Sequence, residues 1–471
     1  MVCYQEEVRD PSRMAEVLNR VIEKAFRGSA PAQINVPRDY WTQVVDIELP
    51  PIVRFERQGG GKDAIDKAAK LLSEAKFPVI LSGAGVVIGD AIDDCKKLAE
   101  KLDAPVCNGY QHNDSFPGSH PLAVGPLGYN GSKAAMELIS KADVVLALGT
   151  RLNPFSTLPG YGIDYWPKNA TIIQVDMNPD RIGLTKKVTV GICGDAKMVS
   201  QQILEKLTSN AGDNGREDRK NLIHQTKSAW LQTLTSLDHE DDDPGTVWNK
   251  EARERDSDRM SPRQAWRAIQ AGMPEDVIIS SDIGNNCAIG NAYPTFEKPR
   301  KYLAPGLFGP CGYGFPSILG AKIGCPDTPV IGFAGDGAFG ISMNEMSSCA
   351  REEWPAITMV IFRNYQWGAE KRNSILWFDD NFVGTELDPE LSYAKVANAC
   401  GLKGITAKTM DETTKAIKQS CEDQKKGITT FIEVILNQEL GEPFRRDAMK
   451  KPVRVAGIDK GDMKPQKSLV S

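Results

Sequence analysis

Short, almost uninterrupted apolar runs recur along the chain, separated by longer stretches in which apolar residues return every three or four positions. PVILSG (78–83), APVCN (104–108), DVVLALG (143–149), TIIQVD (171–176) and VTVGI (188–192) predict five strands, with helices between them such as Asp90–Leu102. DVIISSD (276–282), PVIGFAG (329–335), ITMVIF (357–362) and TTFIEVIL (429–436) predict four more. A strand that is apolar at consecutive positions buries both faces, as in parallel sheets covered by helices on either side. The pattern therefore predicts an α/β fold with two doubly wound parallel-sheet domains, over residues 62–208 and 263–440.

Residues 209–262 turn polar and include HEDDDPG (239–245) and NKEARERDSDR (249–259), so they read as a charged, helix-containing linker. After residue 440 a basic tail punctuated by proline and glycine runs from 441 to 471. Residues 1–45 predict one helix, Ser12–Arg27, and one strand, AQINVP (32–37). One helix and one strand bury too little apolar surface to stand alone. The segment reads as the end of a domain whose remainder is absent from this chain, and the chain by itself is then expected to be inactive.

Composition narrows the function classes. The 471 residues are 41% hydrophobic and 25% charged, with a formal net charge of −5 spread along the chain. That balance argues against nucleic acid as a partner, because phosphate backbones need a concentrated basic face. No apolar run approaches the roughly 18 residues of a membrane span. The opening MVCYQEEVRDPSRM has neither a basic nor an apolar stretch and does not read as a signal peptide. Ten cysteines without a CxxC pair read as thiols in a reducing cytoplasm, and four histidines make a Cys/His zinc site improbable.

The chemistry concentrates in the second domain. Gly335, Asp336 and Gly337 end a predicted strand and open a helix, and Asn364 ends the next strand, with 26 residues between Gly337 and Asn364. Glycines let backbone N–H groups approach a phosphate at a helix start. Asp336 offers a hard carboxylate oxygen, Asn364 an amide oxygen and Gln366 its backbone carbonyl, a donor set that suits Mg²⁺ holding a diphosphate. SSDIGNNCAIG (280–290) offers Gly284, Asn285 and Asn286 as a second phosphate-facing turn. After Asn364 come Glu370, Lys371 and Arg372, which read either as a solvated helix face or as a proton donor and cations for an anionic substrate. SGAGVVIG (82–89) lacks the GxGxxG spacing, and reads as a glycine turn or as a nucleotide loop.

The GDG–Asn pattern, together with FGPCGYGFPSILGA (308–321), resembles the signature of thiamine diphosphate (ThDP) enzymes of the pyruvate-oxidase and acetohydroxyacid-synthase type. The usual Asn-Asn ending is here Arg363-Asn364, with the liganding Asn kept. RLNPFSTLPGYGIDYWP (151–167), FGPCGYGFPSILGAKIGCP (308–326), NYQWGAEKRN (364–373) and ILNQELGEPFRRDAMKKPVR (435–454) bring the resemblance closest to the sulfoacetaldehyde acetyltransferase family.

The resemblance implies ThDP and Mg²⁺ as cofactors, and a cofactor-binding set of Gly284, Asn285, Asn286, Gly309, Cys311, Gly335, Asp336, Gly337, Ala338 and Asn364. Mg²⁺ ligands would be Asp336, Asn364 and Gln366. Cys311 would wedge the cofactor's two rings apart, with the Gly309 carbonyl and Cys311 N–H on the aminopyrimidine edge. Glu370 would be the catalytic acid–base, with Lys371 and Arg372 near the substrate. The implied reaction takes sulfoacetaldehyde and phosphate to acetyl phosphate and sulfite, in a homodimer or homotetramer. The family's activating glutamate from the pyrimidine-binding domain has no counterpart in these residues. An acetolactate-synthase-like carboligase or decarboxylase, or a non-catalytic ThDP-binding subunit, are the alternatives.

Overall fold

Every residue of the strands Pro78–Ser82 and Val144–Leu148 is buried, as an apolar run in the middle of a covered sheet requires. The computed structural model describes residues 2–28, 30–49, 56–236, 255–306, 308–351, 353–377 and 382–440. The predicted tail 441–471 and the linker's acidic turn at 239–245 lie outside the described residues.

The chain opens with β1 (Tyr4–Glu7), the helix Met14–Gly28 and β2 (Ala32–Asn35), the two strands pairing in parallel over a small core of Val8, Val17 and Val21. The apolar pattern marks only the second of these strands. Tyr4–Glu7 ends on two glutamates and alternates half-buried with exposed positions, so it lacks an apolar run.

Six parallel strands follow: β3 (Pro78–Ser82), β4 (Val106–Asn108), β5 (Ala123–Pro126), β6 (Val144–Leu148), β7 (Thr171–Asp176) and β8 (Val190–Cys193). Their spatial order is β5-β4-β3-β6-β7-β8. The chain winds outward from β3 in one direction and then from β6 in the other, leaving a crevice at their carboxyl ends where winding reverses. Here that crevice is tightly packed. A Cβ on Gly85 would come within 2.6 Å of the Gly149 Cα, so the glycines of SGAGVVIG serve contact between two loops.

The second sheet contains β9 (Ile278–Ser281), β10 (Tyr302–Leu303), β11 (Val330–Gly335), β12 (Thr358–Arg363), β13 (Lys403–Ala407) and β14 (Thr430–Ile435). Its order is β10-β9-β11-β12-β14-β13, again all parallel. Side chains alternate between two cores. Ile331, Phe333, Val360 and Phe362 join Trp266 and Ile417 on one face. Val330, Ala334, Met359 and Ile361 join Phe315, Ile318 and Phe339 on the other. Both faces of β11 and β12 are therefore buried, which is what their continuous apolar runs encode. In this sheet the winding reverses between β9 and β11, so the loops after these two strands share one end of the sheet.

The units of the two sheets are held together by the segment between β9 and β10. Asn113 donates from Nδ2 to the carbonyls of Asn291 (2.9 Å) and Pro294 (2.8 Å). Asp114 accepts from the Lys301 N–H at 2.9 Å, and Gly118 N–H donates to the Phe296 carbonyl at 2.9 Å. The helix Arg216–Ser236, in the predicted linker, is fastened to the first sheet's unit by Arg219. Its buried guanidinium donates to five carbonyls, among them Asp103, Lys76 and Leu102. Among the described residues no helix is long and apolar enough to cross a membrane.

Candidate cofactor site

The loops after β9 and β11, with the turn after β12, meet at a cleft of about 170 Å³. Gly284, Asn285 and Asn286 line it from the first loop, and Gly335, Asp336, Gly337 and Ala338 from the second. Asn364 and Gln366 come from the turn after β12, and Gly309 and Cys311 from the glycine-rich loop before the helix Gly314–Gly324. Glu370 reaches it from the first turn of the helix Gly368–Trp377. Twelve residues singled out along 87 positions, from Gly284 to Glu370, thus share one cavity.

Each wall has a local cause. Asp336 lies between an extended strand end and the helix Asp336–Ser342, and its carboxylate is wholly buried. Oδ1 accepts the Gly337 N–H at 3.0 Å, and Oδ2 accepts the Tyr365 N–H at 2.6 Å and the Arg363 Nη1 at 3.1 Å. Tyr365 can aim its N–H there because its backbone turns left-handed, with φ of 61°. Gly337 admits no larger residue, since a Cβ would sit 2.8 Å from the Trp367 ring, which closes that side of the cleft.

Polar atoms around the cleft lack partners. Asn285, Asn286 and Gln366 are each at most 5% exposed, yet Asn285 Oδ1, Asn286 Oδ1 and Gln366 Oε1 accept no hydrogen bond. Buried amide oxygens without donors carry a desolvation cost of about 1–3 kcal/mol each, which a bound polar group removes. The Gln366 amide nitrogen is held by the Gln438 carbonyl at 3.0 Å, so its oxygen is fixed in place.

Asp282, not among the candidate site residues of the sequence, holds the glycine-rich loop. Its buried carboxylate accepts the N–H groups of Ile283 (2.8 Å), Gly312 (3.1 Å) and Gly314 (2.7 Å). Its signal in the sequence is an acid ending an apolar strand. The loop it gathers carries Cys311, whose thiol is pushed up by partial burial and by the carboxylates of Asp282 and Glu370. Cys311 therefore stays protonated at neutral pH.

Lys371 and Arg372 do not line the cleft. Consecutive helical residues point about 100° apart, so with Glu370 facing inward its two neighbours face elsewhere. Lys371 Nζ lies 2.5 Å from Glu386 Oε1. The buried Arg372 donates to the Tyr129 hydroxyl and, at 2.7 Å, to the Leu440 carbonyl, riveting its helix to the first sheet's unit.

Burial raises the Asp336 carboxyl to about 6 from its ordinary 3.8, against the opposing pull of Arg363 and the N–H donors. An acid whose folded pKa exceeds its unfolded one favours folding while protonated. That contribution is complete below the ordinary value and is lost as pH rises through about 6. In chemical unfolding without ligands, wild type should lose up to about 3 kcal/mol relative to Asp336→Asn between about pH 4 and about pH 7. A pH-independent difference would show that the carboxyl is not held this way.

Comparison with known proteins gives concordant matches. Residues 65–207 match the thiamine pyrophosphate enzyme central domain, and residues 282–434 the thiamine pyrophosphate enzyme C-terminal TPP binding domain. A probable sulfoacetaldehyde acetyltransferase of Rhizobium meliloti (strain 1021) is 78% identical over 469 residues, covering 100% of this chain and 79% of that protein. The sulfoacetaldehyde acetyltransferase of Roseovarius nubinhibens is 74% identical over 466 residues, covering 99% and 77%. Among solved structures, benzoylformate decarboxylase from Polynucleobacter necessarius aligns with a TM-score of 0.72 and 20% identity, over 94% of this chain and 77% of that one. This last likeness speaks to the fold.

Proposed function

Because the chain belongs to the sulfoacetaldehyde acetyltransferase family of thiamine pyrophosphate enzymes, we propose that it converts sulfoacetaldehyde and phosphate to acetyl phosphate and sulfite, using ThDP and Mg²⁺. The observation that carries the reading is the convergence of two switch-point loops and Asn364 on one cleft whose buried amide oxygens lack partners. The cleft fits the diphosphate end of the cofactor. The glycine turn at Gly284 suits phosphate oxygens, and Asp336, Asn364 and the Gln366 carbonyl form an all-oxygen set suited to Mg²⁺. The helix behind Asp336 has only seven residues, so these donors matter more than its dipole.

The reaction is redox-neutral overall. The aldehyde C–H is lost as a proton and the C–S bond breaks, sulfite leaving with the bonding electrons; the former methylene gains a proton, and the aldehyde carbon becomes an acyl group on phosphate. When bound, ThDP supplies the carbon nucleophile and the electron sink for this exchange. The chain's own residues then position and protonate. The Glu370 carboxyl, at the mouth of the cleft, would deliver and remove the proton at the aldehyde oxygen. Cys311, kept as a neutral thiol on the loop that Asp282 fixes, would pack against the cofactor without competing as a nucleophile.

The wider setting of the proposal is a homo-oligomer in a reducing compartment. In support, Leu18, Ile22 and Phe26 form an exposed apolar stripe on the helix Met14–Gly28, and all ten cysteines are unpaired. The test is sulfite release from sulfoacetaldehyde by the purified enzyme with ThDP and Mg²⁺. Many turnovers should occur only when phosphate is present, with acetyl phosphate accumulating in equal amount. Conversion of pyruvate to acetolactate at a comparable rate would show the substrate to be wrongly assigned.

A further inference from the structure

Arg363 ends β12 immediately before Asn364, and its long charged side chain is fully closed to solvent. Both terminal nitrogens donate hydrogen bonds, while the buried Nε makes none and has only an ion pair. Nη1 donates to Asp336 Oδ2 at 3.1 Å, and Nη2 donates to the carbonyls of Asp388 and Leu391, the latter at 2.9 Å. Nε lies 3.7 Å from Glu433 Oε1 as an ion pair. The guanidinium covers the Tyr365 ring at 4.2 Å from its centroid and approaches Tyr393 at 5.5 Å. Tyr393 in turn donates its hydroxyl to the Asp336 carbonyl at 2.8 Å. Glu433 is buried as well, held by the Ser392 hydroxyl at 2.7 Å and the Tyr393 N–H at 3.2 Å.

This arrangement treats the two oxygens of Asp336 differently. Oδ2 is occupied by a guanidinium and by the Tyr365 N–H, whereas Oδ1 accepts only the Gly337 N–H. With its backbone carbonyl also tied, the carboxylate cannot turn to present both oxygens to the cleft. The geometry points to Arg363, backed by Glu433, as the positioning residue that confines Asp336 to one-oxygen ligation and so sets the site's preference for Mg²⁺ over larger cations. Mg²⁺ takes near-ideal octahedra of single oxygens, whereas Ca²⁺ accepts six to eight ligands and readily binds a carboxylate through both oxygens. The inference rests on the assignment of Asp336 to the metal. The planar fork of Arg reaches a carboxylate and two carbonyls at once, which a lysine ammonium on one flexible stem cannot do.

The experiment titrates Mg²⁺ and Ca²⁺ separately into wild type, Arg363→Met, Arg363→Lys and Glu433→Gln, each with excess ThDP, and follows binding by calorimetry. Arg363→Met should lose at least about tenfold in Mg²⁺ affinity while Ca²⁺ changes by less than about threefold. Glu433→Gln should move the ratio in the same direction by less, and Arg363→Lys should fall between Arg363→Met and wild type. A merely structural role would weaken both cations in parallel, and parallel loss, or no change in the ratio, overturns the inference. Should Arg363→Met fail to fold, the ratio in Glu433→Gln and Arg363→Lys decides by the same criterion. If wild type binds ThDP with neither cation, the metal assignment falls and takes this inference with it. Turnover enters none of these readouts, so the proposed reaction is judged separately.

Discussion

Asp336→Ala should abolish Mg²⁺-dependent retention of ThDP and lower turnover by at least about 10²-fold, since even residues that only support a metal ligand cost 10–100-fold when removed. The expectation follows from the proposed role of Asp336 as the one carboxylate in the ligand set, where Asn364 and Gln366 offer neutral oxygens. Without it, the cation loses its charged ligand, and the diphosphate loses the cation that neutralises it. A second effect accompanies the first. Arg363 is buried against Asp336, and removing one partner of a buried pair costs about 3–5 kcal/mol because the other charge is left without its counter-ion. Loss of cofactor and loss of stability therefore have to be separated. Asp336→Asn serves that end, because it keeps the side chain's shape and an acceptor for Arg363 while removing the charge. It should remain folded at neutral pH and still fail to bind Mg²⁺ with ThDP. Unchanged affinity by calorimetry in Asp336→Asn would sink the metal assignment.

The parts of this site legible in the sequence are those written locally. Asp336 and Asn364 each end a strand buried on both faces, and a polar residue there has one place to go, the crevice at the sheet's end. The strands that the apolar pattern does not mark, Tyr4–Glu7, Ala123–Pro126, Tyr302–Leu303 and Lys403–Ala407, are all at sheet edges. Edge strands pair on one side only and need no continuous apolar run, so KGITA and AVGP look like loops. Asp282, Arg363 and Glu433 were illegible for a different reason. Their partners, at Gly312, Asp336 and Ser392, are tertiary, and nothing in TTFIEVIL distinguishes a glutamate facing water from one buried in a charge network. Lys371 and Arg372 show how adjacency in sequence to Glu370 differs from adjacency in space, since neither lines the cleft that Glu370 reaches.

Glu370 is the residue on which the chemistry turns, and Glu370→Gln should lower kcat by about 10²–10⁴-fold with a much smaller change in KM. Its carboxyl opens onto the cleft in the first turn of the helix Gly368–Trp377, on the same cavity wall as Ala369 and Gly368, and close enough to Cys311 to raise the thiol's pKa. It is also exposed, which a residue exchanging protons with water through the catalytic cycle requires. Glutamine occupies the same volume and keeps an acceptor and a donor, so substrate binding through hydrogen bonds persists while proton transfer is lost. For this reason the effect should fall on kcat. The pH profile gives a second reading. A general acid–base leaves a titration limb in kcat that the amide cannot reproduce, so the variant's residual activity should lack the limb that wild type shows. A helix-surface glutamate with no part in the reaction predicts something else: a loss below tenfold, with the pH profile unaltered. That pair of results would return Glu370 to the solvated face and leave the proton transfer to be sought among other residues of the cleft.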